Sequence, residues 1–418
     1  MYKLLQTVLA NTIIKGASYV FIGSFAANVF NYFFHLITGR MLGPEQYSVV
    51  AALLSLSYVF GFPSLIISTV TTRKTAELAA LKDFRAINGV LRFVFRGLTV
   101  FAVVMTILFM AFQETIAEFL KIEDSHLVVV LGASLIISYF STVGLAALQG
   151  MLRFVSYAIV NAVSGLFKDL FALIAVVAGY GAGGVVWSLL VTSVATTIVT
   201  AVPLLDVVKT KPKNHLIKGT SIASTLWVSS AFIGMGLMIN MDVLIVKHYF
   251  LPLEAGLYAG LATMGKIVLF LSTPIATVLL PVSTQKHARG HSTVKELSLA
   301  MGAVILLSLF IITAFIVLPE FSIFLMYGKD YYAISPYLWA MGAYFLFYNI
   351  CFTFIHYFIS IKRYRILTAP LIIAVLQVGL LVIYHETFTQ IITTLVVTAF
   401  LLSFIFGYQY LSHETRKK

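Results

Sequence analysis

"KTKPKNHLIK", residues 209–218, is a basic stretch at the midpoint of a 418-residue chain. The sequence on both sides of it is overwhelmingly apolar. Hydrophobic residues make up 60% of the chain and charged residues only 11%, with a mean hydropathy of +0.98. Soluble proteins carry about 25% charged residues, so the flanks read as sets of membrane spans and the stretch reads as a solvated linker between them.

Working outward, runs of about 20 apolar residues, the length that crosses a bilayer core, predict twelve spans. They fall near 16–38, 46–70, 89–112, 127–148, 154–178, 183–204, 219–246, 255–281, 294–318, 333–358, 364–384 and 388–409. The expected fold class is an all-α polytopic membrane protein of two pseudo-symmetric six-helix lobes. The first lobe covers 1–208, the cytoplasmic linker 209–218 and the second lobe 219–418. With a cytoplasmic N-terminus, the cytoplasmic segments and span edges hold 2, 4, 1, 4, 3, 3 and 3 Lys/Arg, which is 20 of the 28. The outside loops hold Arg40, Lys121, Lys247 and Lys329. This asymmetry places both termini in the cytoplasm and the chain in the cell membrane. The net charge of +12 follows from that topology and from anionic lipid at that face, so no nucleic-acid partner is needed.

Little in the sequence points to catalysis. Cys351 is the single cysteine, which excludes an internal disulfide and a cysteine metal cluster. No cleavable signal follows Lys3 and Lys15. No phosphate-binding loop, zinc-protease helix or nucleophile elbow occurs, and no cofactor is expected. "GYGAGG" (179–184) lacks the lysine and strand of a phosphate loop and reads as a tight turn. Gly256 and Gly260 read as a helix-packing face.

The two flanks repeat each other. A shift of 211 residues places Tyr47 on Tyr258, Ala51 on Ala262 and Pro63 on Pro274. It also places Ser138, Thr142 and Gln149 on Asn349, Thr353 and Ser360, and Asn31 on Asp242. Pro63 and Pro274 read as matched helix bends. Polar stripes at helical spacing mark inward faces: Ser24, Asn28, Asn31 and His35 in span one, Tyr157, Asn161, Ser164 and Lys168 in span five, and Asn349, Thr353, His356 and Ser360 in span ten. Such residues face a bundle interior or a water-filled cavity, since lipid offers them no partner. Interhelical hydrogen bonding is the plain alternative, and it is the preferred reading for His35 and His356.

Ionisable groups at span depth cost about 2.5–3.5 kcal/mol each, so each needs a reason. They are Lys168, Asp169, Lys266, Asp242, Arg92 and Arg96. Arg92 fits snorkelling to the headgroups. Arg96 lies about 10 Å deeper than the start of its span and is a candidate for the cavity. Lys168 and Asp169 are about 100° apart around a helix and do not face each other. Lys168 continues the polar stripe, whereas Asp169 turns away. Lys168, Lys266 and Arg96, with Asn31, Asn161 and Asn349, form the candidate binding set for an anionic cargo. Asp242 and Asp169 are candidates for coupling or structural charge.

"GRMLGPEQYSVVAALLSLS" (39–57) resembles the signature that follows the first span of polysaccharide flippases. "NMDVLIVKHYFLPLEAGLYAGLATM" (240–264) followed by "VLLPVST" (278–284) resembles its second-half version, and "GYGAGGVVWS" (179–188) the turn between spans five and six. The resemblance covers the first eight spans in order. It departs at Ser48, where the family pattern has glycine. It is to the polysaccharide transporter branch, which includes O-antigen flippases, of the multidrug/oligosaccharidyl-lipid/polysaccharide exporter superfamily. It implies a flippase that moves a polyprenyl-diphosphate-linked oligosaccharide to the outer leaflet by rocking two lobes around a cationic cavity. The implied partners are the lipid-linked glycan, membrane lipids, and the polymerase or glycosyltransferases of the same pathway. The competing readings are a cation-coupled multidrug antiporter of the same superfamily and a membrane glycosyltransferase, polymerase or ligase. The short outer loops disfavour the second class.

Overall fold

In the computed structural model the backbone is described for residues 2–213, 222–288 and 291–415, with side chains from Ala26 onward apart from scattered positions. The Ser24 side chain and linker residues 214–218 lie outside the described residues. Among the described residues every regular element is a helix. They run α1 (Tyr2–Phe60), α2 (Phe62–Ala80), α3 (Phe84–Phe119), α4 (His126–Gly150), α5 (Phe154–Val177), α6 (Gly181–Ala201) and the short α7 (Leu205–Val208). Then come α8 (Ile222–Met238), α9 (Met241–Tyr249), α10 (Pro252–Ala288), α11 (Val294–Val317), α12 (Pro319–Met326), α13 (Leu338–Ser360), α14 (Ala369–Ile383) and α15 (Phe388–Thr415).

Ten of these segments are long and apolar enough to cross a membrane, and counting a bent pair as one span makes eleven. The chain is a multi-pass membrane protein. The bent pair, Ala26–Phe60 with Phe62–Ala80, turns by 42° and covers the region of the two spans expected at 16–38 and 46–70, so the described residues give ten or eleven spans where the sequence predicts twelve. Its first helix is itself broken at Gly43, whose φ of 73° and ψ of 172° suit only a residue without a Cβ. Pro44 then starts the next helical stretch, where its missing N–H costs nothing.

The 211-residue repeat is visible in the elements. Shifting α4 (126–150) by 211 gives 337–361, and α13 occupies 338–360. Shifting α5 (154–177) gives 365–388, which contains α14 at 369–383. The halves differ where proline or glycine intervenes. α3 is one helix, but its counterpart is split into α11 and α12 at Leu318, just before Pro319.

The chain forms two compact units, Met1–Leu42 with Phe60–Thr220, and Gly43–Val59 with Ser221–Lys418. Residues 43–59 thus pack in the second unit, which a division at the linker alone does not provide for. In the first unit α4 is the central helix, packed against α2, α3 and α6. Interhelical bonds from Thr72 Oγ1 to the Ala146 carbonyl (3.1 Å) and from Thr197 Oγ1 to the Ile137 carbonyl (3.2 Å) support it. In the second unit α13 takes that place against α10, α11 and α15.

The linker is not wholly solvated. The Asn88 amide donates to the carbonyls of Val208 (3.1 Å) and Thr210, and the Lys213 N–H to the Arg85 carbonyl at 3.0 Å. Arg153 forms a two-pronged ion pair with Asp206 and also reaches the Pro203 carbonyl. The hydrogen bonds to Asp206 hold this guanidinium further above its ordinary range. Residues 206–213 are therefore docked on the first unit.

Candidate functional site

Two polar clusters at span depth, one in each unit, hold most of the ionisable groups. In the first unit, Gly165 on α5 lets α1 approach closely: a Cβ there would meet the Phe30 side chain at 2.8 Å. One turn on, Lys168 Nζ donates to Asn31 Oδ1 at 2.7 Å and lies 4.1 Å from the centroid of the Phe34 ring. Both partners are neutral. The ring face attracts the ammonium through its quadrupole, and the amide oxygen takes one of its three protons. Lys168 forms no ion pair among the described residues. Asp169 stands within electrostatic reach but is buried at 7% exposure, and its Oδ1 has no hydrogen-bond partner among the described residues. The other stripe members on α5 bond their own helix: Asn161 to the Tyr157 carbonyl (3.0 Å) and Ser164 to the Val160 carbonyl (2.6 Å).

In the second unit the span broken between α8 and α9 organises the cluster. The break frees carbonyls that buried side chains satisfy. The Tyr344 hydroxyl (2.7 Å) and the Gln377 amide (2.8 Å) both donate to Met238, and the Tyr348 hydroxyl donates to Met235 at 3.1 Å. Asp242 enters the first turn of α9, where the helix dipole favours a carboxylate. Its Oδ2 accepts from the Tyr258 hydroxyl at 2.8 Å, while its Oδ1 has no hydrogen-bond partner among the described residues. Lys266 lies within electrostatic reach of Asp242, with Nζ 3.5 Å from Asn240 Oδ1.

The structure thus joins Lys168 with Asn31, and Lys266 with Asp242. It does not bring Arg96 to Lys168. Arg96 is exposed on α3, which packs mainly on α2, α4 and α7, whereas Lys168 sits between α5 and α1. Arg92 is also exposed, with Nε 3.4 Å from Asn88 Oδ1. Asn349 is buried at 2% exposure and donates to the Val268 carbonyl at 3.0 Å, so it bridges α13 and α10 inside the second unit. Thr353, His356 and Ser360 bond their own helix. The span-ten stripe is interhelical and intrahelical bonding rather than an open face. Gly256 and Gly260 face Pro44 and the Tyr331 ring, an internal packing face.

Pro63 sits in the first turn of α2, beside the bend at Gly61, while α10 runs on through Pro274. The pair are not equivalent interior kinks. Lys247, counted in an outside loop from the sequence, is buried in the last turn of α9 with Nζ 2.8 Å from Ser48 Oγ. Sequence reasoning also missed Phe34, Tyr258, Asn240, Tyr344 and Gln377. Aromatic residues and lone amides in apolar runs carry no signal until a partner is visible.

Residues 37–336 match the polysaccharide biosynthesis protein family. No curated protein matches the sequence. Among solved structures, the chain is similar to an inward-facing multidrug resistance MATE family transporter of the MOP superfamily. The TM-score is 0.77 at 15% identity, covering 93% of this chain and 96% of that one. Another MATE multidrug transporter, solved as a complex, gives 0.71 at 13% identity, covering 96% and 95%. A MOP superfamily transporter from Pyrococcus furiosus, described as having a binding pocket of reversed polarity, gives 0.66 at 15% identity, covering 97% and 96%. At these identities the likeness concerns the fold. The chain has the fold of the MATE transporters, and it belongs to the polysaccharide biosynthesis protein family.

Proposed function

We propose that this protein is a flippase that carries a lipid-linked oligosaccharide, held on a polyprenyl diphosphate, from the cytoplasmic to the outer leaflet. The observation that carries the reading is Lys168: a half-buried ammonium at span depth whose hydrogen bond and ring contact are both to neutral groups. A buried cation costs several kcal/mol unless a countercharge arrives, and a diphosphate supplies one. Lysine suits phosphate as a point charge. Membership of the polysaccharide biosynthesis family supports the same cargo class. Each lysine has a carboxylate within electrostatic reach, Asp169 for Lys168 and Asp242 for Lys266, but Asp242 is held by the Tyr258 hydroxyl beside the α8–α9 break. We assign Lys266 with Asp242 to the coupling of cargo movement to conformational change, and Lys168 with Asn31 to cargo binding. The reading requires no catalytic residue and no cofactor.

One set of observations favours the second reading, a cation-coupled multidrug antiporter. Asp169 and Asp242 are buried carboxylates, each with one oxygen lacking a hydrogen-bond partner among the described residues, which is what a proton or sodium ion would use. The similar solved structures include multidrug transporters. Purified protein in liposomes separates the two. Translocation of a fluorescent lipid-linked oligosaccharide, with no cation-driven uptake of organic cations, is the expected outcome. Cation-driven uptake without lipid translocation would replace the flippase reading by the antiporter.

A further inference from the structure

Six cations gather at the linker end of the first unit, and the cargo site uses none of them. Arg85, Arg92 and Arg96 are spaced by seven and four residues, so they share one face of α3, and all three are exposed. The opposite face of α3 packs on α2, α4 and α7. Arg92 and Arg96 follow Phe84 by eight and twelve residues, about 12 and 18 Å along the helix axis. Their neighbours on the exposed surface are apolar, with Phe93 58% and Val100 67% exposed.

The docked linker adds to this face. Asn88 holds the Val208 and Thr210 carbonyls, and Lys213 binds the Arg85 backbone. These bonds place exposed Lys211 and Lys213 beside exposed Lys82 and Arg85. The one carboxylate among them, Asp83, caps α3 through the Ala86 N–H and lies 3.5 Å from Lys213 Nζ. Among the described residues named here six cations meet one carboxylate, since Asp206 on α7 is already paired with Arg153.

We propose that this face binds the phosphate headgroup of an anionic membrane phospholipid, which bridges α3 and the start of the linker. Charge complementarity selects a phosphate, since guanidinium pairs one turn apart match its oxygens. Depth selects a lipid. Arg92 and Arg96 lie inside the apolar length of α3, where a soluble partner does not reach and a headgroup drawn inward does. A bound headgroup would hold residues 209–213 to the first unit. The proposal is independent of the cargo reading.

Native mass spectrometry of the purified full chain tests it, with phosphatidylglycerol and phosphatidylcholine as probes. Wild type is expected to retain phosphatidylglycerol preferentially. Arg92→Gln/Arg96→Gln should weaken that retention roughly 10- to 30-fold, at the usual strength per basic residue, and leave phosphatidylcholine unchanged. Lys211→Gln/Lys213→Gln, on the linker, should weaken it in the same direction and serves if the α3 variant does not fold. Lys362→Gln/Arg363→Gln, in the second unit, should retain the lipid like wild type. Wild-type retention by both site variants would overturn the proposal, as would equal loss in the control. Retention of a polyprenyl diphosphate but not of phosphatidylglycerol would also overturn it and make the face part of the cargo path.

Discussion

Ser48 and Lys247, almost 200 residues apart in sequence, meet in the second unit with Oγ and Nζ 2.8 Å apart, and both are buried. Ser48 donates its own proton to the Glu45 carbonyl, so its oxygen can accept from the ammonium. This serine stands where the flippase signature has glycine, and the substitution is matched by a lysine that reads as a loop residue. Removing the acceptor from a charged donor costs about 1–3 kcal/mol. Ser48→Ala should lower the melting temperature of the purified protein, and Ser48→Thr should restore it. Coincident melts for Ser48→Ala and wild type would mean that the contact contributes nothing.

Tyr258 gives Asp242 a hydrogen bond from its side-chain hydroxyl. Tyr258→Phe leaves a carboxylate at 2% exposure with less compensation and should destabilise by about 1–3 kcal/mol. Asp242→Asn should be partly stabilising in the Tyr258→Phe background but not alone, because only there is the charge under-compensated. A double-mutant cycle in thermal unfolding measures the coupling. Strictly additive effects would show that the two side chains act independently.

Gly43 is a backbone test without a packing confound. A Cβ built on it meets nothing within 4 Å, yet φ is 73°. Gly43→Ala should therefore cost about 1–3 kcal/mol through conformation alone. Gly302, also with open space around it but inside α11, should tolerate alanine or gain from it. Equal folded yields of the two variants would refute the strain argument.

The two prolines should not behave alike. Pro63 occupies the first turn of α2, where its missing N–H is unbonded in any helix. Pro63→Ala should leave transport near normal. Pro274 lies within the length of α10, where alanine restores a backbone donor and stiffens the helix. Pro274→Ala should slow transport at normal abundance, as measured by export per folded molecule. The reverse order would contradict this assignment.

The helical class, the positions of most spans and the 211-residue repeat were legible because lipid forces backbone bonds into helices and apolar runs mark their length. Helical geometry puts Lys168 and Asp169 on different faces, and in the structure their partners differ, Asn31 for Lys168 and no side-chain partner for Asp169 Oδ1 among the described residues. The placement of residues 43–59 was not. Gly43 and Gly61 break the chain at both ends of that segment, and which unit it joins depends on Tyr47 packing among Thr263, Tyr327 and Tyr331. Arg96 lies on an exposed face of α3 and is not joined to Lys168, because depth along a helix says nothing of which neighbours cover its face. The span-ten stripe misled for a related reason, since polar periodicity is the same for a cavity wall and for a hydrogen-bonded seam.

The central claim, that Lys168 holds the anionic part of the cargo, is tested most directly by export of lipid-linked glycan in cells that depend on this protein, with its membrane abundance measured in parallel. Lys168→Gln keeps polarity and the reach to Asn31 but removes the charge, so export should fall at least ~10-fold at unchanged abundance, the loss of one charge-assisted contact. Lys168→Arg should retain part of the activity, and Asp169→Asn should act through abundance instead. Normal export by Lys168→Gln at normal abundance would contradict the claim.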